Sequence, residues 1–322
     1  MIEKKSREYE IEDVFRTYGV LTREAGFYFY FSRKIRELRE SGHEGTARAY
    51  ASSLRSMQRY LGKKDFPFIK LSSRIISDYQ GKLLASGICD NTIGFYLHNI
   101  KALFRKGCRE MGLELPCPFR DISIKTEKTL KRSLDPVVIK TLSAIELEKD
   151  SPLSLARDIF MFSFYTRGMS FVDIALLKKR HVFPGEICYR RHKTDQLMRV
   201  GINKEISRIL ERYKNVPGEY IFPLFPAERD PYAGYRSAYH RIRYSLGKIS
   251  RVIGLEFPLR LHAARHSWAT IAKVNGASVH VIGECLGHTS EKTTRIYLKE
   301  LDHSALDAVN NQVADFILAV DD

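Results

Sequence analysis

The sequence predicts a mainly α-helical protein with one small antiparallel β-sheet, built as two domains that a basic linker joins. Apolar residues recur every three or four positions through most of the 322 residues, which is the spacing of an amphipathic helix. One stretch, 181–202, switches period and contains a Pro-Gly turn, which is typical of short antiparallel strands. A segment with helix-breaking prolines and a basic run, 115–134, separates two regions that are each long enough for a domain.

The first domain is predicted over 21–114 as four helices without a strand, after a short N-terminal arm over 1–20. The helices are expected at about 27–38, 46–61, 72–85 and 91–111, because Gly-containing breaks interrupt the apolar spacing between them. The last helix carries a basic face. Such a face is either simply solvated or in contact with phosphates, and it consists of Lys101, Arg105, Lys106 and Arg109.

The second domain is predicted over 135–300. Asp135 and Pro136 form a helix start, and the apolar stretch 155–177 predicts one or two long helices. Short strands follow at 182–183, 187–191 and 198–200, and the helical spacing returns at 204–212 and 235–252. The tail, 301–322, predicts an amphipathic helix that packs within its own chain or on a neighbouring copy.

The charge of the chain favours a polyanionic partner. Lys and Arg number 53 against 38 Asp and Glu, for a formal charge of +15. This balance fits nucleic acid, an anionic membrane or a merely basic soluble protein. The apolar runs are too short to cross a bilayer, and the charged N-terminus does not resemble a secretory signal, so a cytoplasmic protein is expected. The five cysteines show no C-x-x-C pair, which suggests neither disulfides nor a zinc site.

Two short stretches near the C-terminus carry the chemistry. His262 and Arg265 lie three positions apart, and Leu286-Gly287-His288 is followed nine residues later by Tyr297. Neither metal-ligand spacing nor a glycine-rich phosphate loop accompanies them. Fixed cations that hold a phosphate and a tyrosine that attacks it are the requirements for cleaving a phosphodiester without a metal.

These stretches closely resemble the C-terminal signature of the tyrosine recombinase (phage integrase) family. The resemblance implies a SAM-like core-binding domain followed by a catalytic domain. It implies that Arg265 holds the scissile phosphate, that His262 helps to take the proton from tyrosine and that His288 donates to a phosphate oxygen. Tyr297 would form a 3′-phosphotyrosyl bond, so no nucleotide cofactor is required, and no metal is expected. Lys193, between two predicted strands, resembles the hairpin lysine that acts as general acid.

The chain departs from the family pattern at the first arginine. The usual T-G-x-R-x-S-E-L is replaced here by Thr166-Arg167-Gly168-Met169-Ser170-Phe171-Val172-Asp173-Ile174, which places Ser170 where the arginine is expected. Because Arg167 precedes Ser170 by just under one helical turn, we expect Arg167 to supply the missing charge from the same helix face. Arg190 or Arg191 is the competing candidate. Asp173 is expected to support the site without reacting.

The leading hypothesis is a site-specific DNA recombinase that acts as a homotetramer on double-stranded DNA with specific sites, through a Holliday junction. A type IB topoisomerase would share nearly the same chemistry. A DNA-binding regulator with an impaired active site is the alternative that the missing arginine favours. A metal-dependent nuclease would need clustered ligands that the sequence does not show.

Overall fold

In the computed structural model the chain divides into two compact units, 1–129 and 130–322. The structure describes residues 26–125, 127, 133–225, 231–288, 290, 293 and 294. The predicted arm over 1–20, Tyr297 and the tail over 301–322 lie outside the described residues, as does much of the second half of the predicted linker. Each unit has its own hydrophobic core.

Unit 1 contains the four predicted helices, and its described residues form no multi-residue strand. The helices are α1 (Phe27–Glu40), α2 (Glu44–Leu61), α3 (Ser73–Ala85) and α4 (Asp90–Glu110), with a 3₁₀ turn at Phe68–Lys70. Phe27, Phe31 and Phe104 are among the side chains that fill their shared core. The four helices predicted from the apolar spacing are therefore present.

The start of α1 shows how a loop residue fixes a helix. Asp65 accepts hydrogen bonds from the backbone N–H groups of Tyr28 and Phe29, at 2.7 and 2.8 Å. These are among the N–H groups that a helix leaves unpaired at its start, and a carboxylate there also suits the helix dipole. The loop between α2 and α3 is thereby tied to the first helix.

The beginning of the predicted linker lies on unit 1. Phe119 is buried, and Ile122 and Ile124 pack against the same core. Asn91 exchanges two hydrogen bonds of 3.0 Å with the backbone of Glu127. Residues 115–125 are consequently part of the surface of unit 1 and do not form a free connection.

Unit 2 is mainly helical with one small sheet. Its helices are α5 (Pro136–Ala144), α6 (Pro152–Tyr165), α7 (Phe171–Ala175), α8 (Lys204–Arg212), α9 (Pro231–Val252), α10 (Leu261–Val274) and α11 (Val279–Leu286). Helix α6 is almost entirely apolar and lies at the centre, where it packs against α9 and α10. Helix α5 starts as predicted, since Asp135 accepts from the N–H of Val137 at 2.8 Å.

The predicted sheet is present. Strands β1 (Val182–Phe183), β2 (Glu186–Arg190) and β3 (Leu197–Gly201) pair antiparallel in the order β1-β2-β3. Ile187 and Val200 are opposite each other and face the core, while alternate residues face outward. The mainly α fold with a small antiparallel sheet is therefore confirmed. No described helix is both long enough and apolar enough to cross a membrane.

Candidate active site

Arg265 is the centre of the candidate site. It lies in the first turns of α10, and only 5% of the residue is exposed. Its Nη1 donates to the carbonyl oxygen of Gly168 at 2.8 Å, and its Nη2 lies 3.0 Å from Nε2 of His288. Nη2 also donates to the carbonyl of Leu286, at the end of α11. The planar guanidinium thus ties the turn after α6 to the end of α11.

The end of α11 explains why His288 points toward Arg265. Gly287 has a left-handed backbone with φ of 63°, and the N–H of His288 returns to the carbonyl of Gly283 at 2.9 Å. This is a helix ending that reverses the chain direction. The Nδ1 atom of His288 lies 3.0 Å from Oγ1 of Thr294, which is fully buried.

The hairpin between β2 and β3 brings further cations to the same place. Arg191 donates through Nη1 to the carbonyl of Gly287 at 2.5 Å, although the two residues are 96 positions apart in sequence. Lys193 is exposed in the turn of this hairpin. Two arginines therefore contact carbonyl groups at the end of α11, and their positive charges suit the negative end of the helix dipole.

The charges around His288 determine its protonation state. Partial burial lowers its pKa to about 4, and the positive charges of Arg265, Arg191 and Lys193 act in the same direction. His288 is consequently neutral at pH 7.

Asp173 is an anchor for the hairpin. It is 5% exposed, accepts from the Ser170 hydroxyl at 2.6 Å and accepts from the backbone N–H of His192 at 2.7 Å. The Ser170 hydroxyl also caps α7 by accepting from the N–H of Asp173. The carboxylate therefore fixes the residue next to Lys193.

The predicted helical relation between Arg167 and Ser170 is wrong. Helix α6 ends at Tyr165 and α7 starts at Phe171, so neither residue lies in the body of a helix. Arg167 has φ of 59° and Gly168 has φ of 76°, and two consecutive left-handed residues reverse the chain. A left-handed arginine is uncommon and marks a position where strain is held by the surrounding structure.

Gly168 permits the close approach of this turn to Arg265. A Cβ atom at position 168 would lie 2.5 Å from Cγ and 2.8 Å from Cα of Arg265. Any side chain there would push the turn away from α10. The glycine is thus required by the backbone angle and by the contact together.

Arg167 is half-buried and precedes Gly168, whose carbonyl accepts from Arg265. Burial and the Asp173 carboxylate raise the pKa of Tyr189 on β2. The positive charges of Arg191, Arg265 and Arg167 oppose that rise. Tyr189 therefore has the three arginines and Asp173 within electrostatic range, a grouping that the sequence alone did not reveal.

The two remaining candidates, His262 and Arg190, are exposed. His262 is exposed on the first turn of α10, and its ring packs edge-on against His266 with centroids 4.6 Å apart. Arg190 is exposed, and its guanidinium lies 3.4 Å from the Asp195 carboxylate. Among the residues that the structure describes, no group of three or more His, Cys, Asp or Glu is arranged to hold a metal ion.

A buried arginine that contacts a half-buried histidine, beside a hairpin that carries Arg191 and Lys193, forms a site suited to a phosphate group. Comparison with family models agrees, because the phage integrase family model matches residues 133–303 and the phage integrase SAM-like domain matches residues 26–119. The chain belongs to the phage integrase family. It is a tyrosine recombinase, and site-specific recombination of DNA is its activity.

Similar proteins support the same family over most of the chain. Tyrosine recombinase XerC of Shewanella oneidensis is 26% identical over 226 residues, which are 67% of this chain and 70% of the relative. The integrase of the transposon Tn1549, solved with transposon right end DNA, has a TM-score of 0.66 at 15% identity and covers 90% of this chain and 100% of that chain. A lambda integrase tetramer bound to a Holliday junction has a TM-score of 0.63 at 16% identity, covering 87% and 80%. At these identities the two structures show the fold.

Proposed function

We propose that the chain cleaves one DNA strand at a time through a 3′-phosphotyrosine on Tyr297 and exchanges strands through a Holliday junction. The observation that carries this proposal is the meeting of two arginines at the end of α11, where Arg265 contacts His288 and Arg191 donates to the carbonyl of Gly287. A phosphodiester gains negative charge in its transition state, and preorganised cations in a partly buried site stabilise that charge. Tyr297 follows Thr294 by three residues in the sequence.

The proposed roles of the site residues in the reaction follow from how buried or exposed each side chain is. Arg265 is held in place by two carbonyl groups and would bind non-bridging phosphate oxygens. Lys193 is exposed on a turn that Asp173 anchors, which suits a general acid that must reach the leaving 5′-oxygen. His262 would take the tyrosine proton. The product is a covalent intermediate that conserves bond energy, so no nucleotide cofactor is needed to reseal the strand.

We propose that Arg167 and Arg191 share the charge that the first arginine supplies in other family members. Both act electrostatically on Tyr189 together with Arg265, which supports their facing one site. Arg190 points to solvent and pairs with an aspartate, so it is the weaker candidate. Cleavage by Arg167→Ala at a near-normal rate would rule out its part in this proposal.

A second basic surface on unit 2 supports DNA contact outside the active site. Helix α9 and the residue before α10 line a recess of about 460 Å³. Lys248 lies 4.8 Å from the ring centre of exposed Tyr244, and within the described part of the chain none of the basic side chains here forms an ion pair with a carboxylate. The exposed basic residues of this face are Arg243, Lys248, Arg251 and Arg260. Such unpaired cations are suited to the phosphate backbone.

The basic face of α4 has the same character in unit 1. Lys101 is half-exposed, whereas Arg105, Lys106 and Arg109 are exposed. In the described residues none of the four pairs with a carboxylate, and three of them follow one another at four-residue spacing along the helix. We propose that this face also contacts DNA. We also propose that the enzyme acts in the cytoplasm, as a homotetramer on two recombination sites.

Covalent trapping tests the proposed function. Sequencing the DNA on both sides of the gene identifies inverted repeats, and a nicked duplex carrying them prevents religation after cleavage. We expect an SDS-resistant protein–DNA adduct that Tyr297→Phe abolishes. Tyr60→Phe, in unit 1, is the matched control and should leave the adduct intact. An adduct that survives Tyr297→Phe would contradict the proposed nucleophile.

A further inference from the structure

The surroundings of His288 define which of its ring nitrogens carries the proton. Nε2 lies 3.0 Å from Nη2 of Arg265, and Nδ1 lies 3.0 Å from Oγ1 of Thr294. An arginine N–H can only donate, so Nε2 must accept in this contact. A neutral imidazole has one donor and one acceptor, and the proton is therefore on Nδ1, where Thr294 accepts it.

Burial and nearby positive charges favour this neutral form. Partial burial is the largest cause, and Arg265 on α10 with Arg191 and Lys193 of the β2–β3 hairpin act in the same direction, so the pKa of the ring is lowered to about 4. Among the described residues no carboxylate contributes to that shift. In its resting state His288 is thus a neutral imidazole with the proton on Nδ1, and not an imidazolium.

This resting state is not the state that phosphate binding requires. A histidine that donates to a phosphate oxygen through Nε2 must carry its proton there, whereas here Nε2 is an acceptor. If the net charge of the ring does not change, the conversion of His288 to the form that donates to phosphate moves the proton from Nδ1 to Nε2. The partner of Nδ1 must then change from acceptor to donor, which a hydroxyl does by rotation and which a carbonyl or an amide N–H cannot do.

We propose that Thr294 is a positioning residue that holds the proton of His288 on Nδ1 in the DNA-free enzyme and, by rotating its hydroxyl, supports the opposite tautomer when the scissile phosphate is bound. One proton leaves Nδ1 to water and one is taken up by Nε2, so the number of protons is unchanged. The Thr294 proton stays on Oγ1 and turns toward Nδ1. The second half of this proposal rests on the proposed function, and the first half does not.

The packing around Thr294 supports a dedicated position for its hydroxyl. The residue is fully buried, and Oγ1 would lie only 2.8 Å from a Cβ atom at Gly283 on α11. The absence of a side chain at position 283 leaves the space that the hydroxyl occupies. Gly283→Ala therefore displaces the same hydroxyl without altering Thr294 itself.

Nitrogen NMR of the full chain tests the first half. Long-range proton–nitrogen correlation on protein labelled with ¹⁵N-histidine, with His288→Gln for assignment, reports the tautomer at pH 7. We expect a protonated Nδ1 in the wild type and in Thr294→Ser, which keeps the hydroxyl. Thr294→Val, which has nearly the same shape, and Gly283→Ala should both show a mixture of tautomers. A wild-type proton on Nε2, or identical spectra for the serine and valine variants, would overturn the proposal.

Cleavage of the nicked duplex tests the second half. Thr294→Val should cleave about ten- to a hundredfold more slowly, within the range of a misplaced proton-transfer group, and Thr294→Ser should recover most of the rate. Equal rates for the two variants would overturn the tautomer change on phosphate binding. If the wild type forms no adduct at all, the proposed function fails, and the NMR comparison still decides whether Thr294 sets the tautomer.

Discussion

Gly168→Ala is the substitution whose effect can be worked out most directly from the structure. The new Cβ atom would lie 2.5 to 2.8 Å from three carbon atoms of Arg265, including its Cα. Carbon atoms pack at about 3.5–4.0 Å, so the turn and α10 must separate by about 1 Å. The left-handed backbone adds strain of about 1–2 kcal/mol, and overpacking adds about 1–3 kcal/mol. The free energy of unfolding should therefore fall by about 2–5 kcal/mol.

The same separation should damage catalysis. It lengthens the contact between the Gly168 carbonyl and the Arg265 guanidinium, and a shift of about 1 Å in a positioned group costs about a hundredfold in rate. Cleavage of the nicked duplex, measured in a single turnover on the folded fraction, reports this loss separately from stability.

Gly185→Ala is the matched control. Gly185 also has a left-handed backbone, with φ of 84°, but a Cβ atom there would meet nothing within 4 Å. It should lose only about 1–2 kcal/mol and cleave normally. Both glycines lie in unit 2, so urea unfolding of that unit compares them directly. If the two variants lose the same free energy and cleave at the same rate, the close approach of Gly168 to Arg265 does not position the arginine.

Three further predictions concern the hairpin and the second basic surface on unit 2. Asp173→Ala should destabilise unit 2 by about 1–3 kcal/mol in urea unfolding, because the N–H at the hairpin turn loses its acceptor, and Asp173→Asn should lose less. Arg191→Ala should reduce single-turnover cleavage about a hundredfold, whereas exposed Arg190→Ala should change it less than about threefold. Replacing Lys248 and Arg251 together with Gln should reduce the slope of log affinity against log salt by about 1.8 in duplex titrations, and an unchanged slope would place these side chains away from phosphates.

The regular elements were predictable because they follow from local patterns. Apolar residues at three- and four-residue spacing identified helices α1 to α4, and Asp135 before Pro136 marked the start of α5. The period change after residue 181, with Pro184 and Gly185 as a turn, identified the sheet. In each case the element follows from residues that are close together in the sequence.

The arrangement of the site was less predictable, because it depends on distant residues and on backbone angles. The sequence favours a helix face for Arg167, because no local pattern indicates the left-handed angle that this arginine takes before Gly168. The contact of Arg191 with Gly287 joins residues from two elements that are far apart in sequence. The hydrogen bond between Thr294 and His288 depends on the turn after α11, which no local pattern in the sequence indicates.

The roles of His262, Lys193 and Tyr297 in the reaction are predictions from the sequence, which kinetic measurements of the cleavage step test. For Lys193 the structure supplies a reason, since Asp173 holds the neighbouring backbone N–H at 2.7 Å. For His262 the structure shows an exposed ring at the start of α10 that packs edge-on against the ring of His266.

Mass spectrometry of the trapped adduct tests the central claim most directly. After nuclease and trypsin digestion, cleavage at Arg295 and Lys299 leaves the four-residue peptide 296–299, in which Tyr297 is the single tyrosine. The account predicts that this peptide carries a nucleotide joined through its 3′-phosphate. A nucleotide found on any other residue, or joined through a 5′-phosphate, would contradict it.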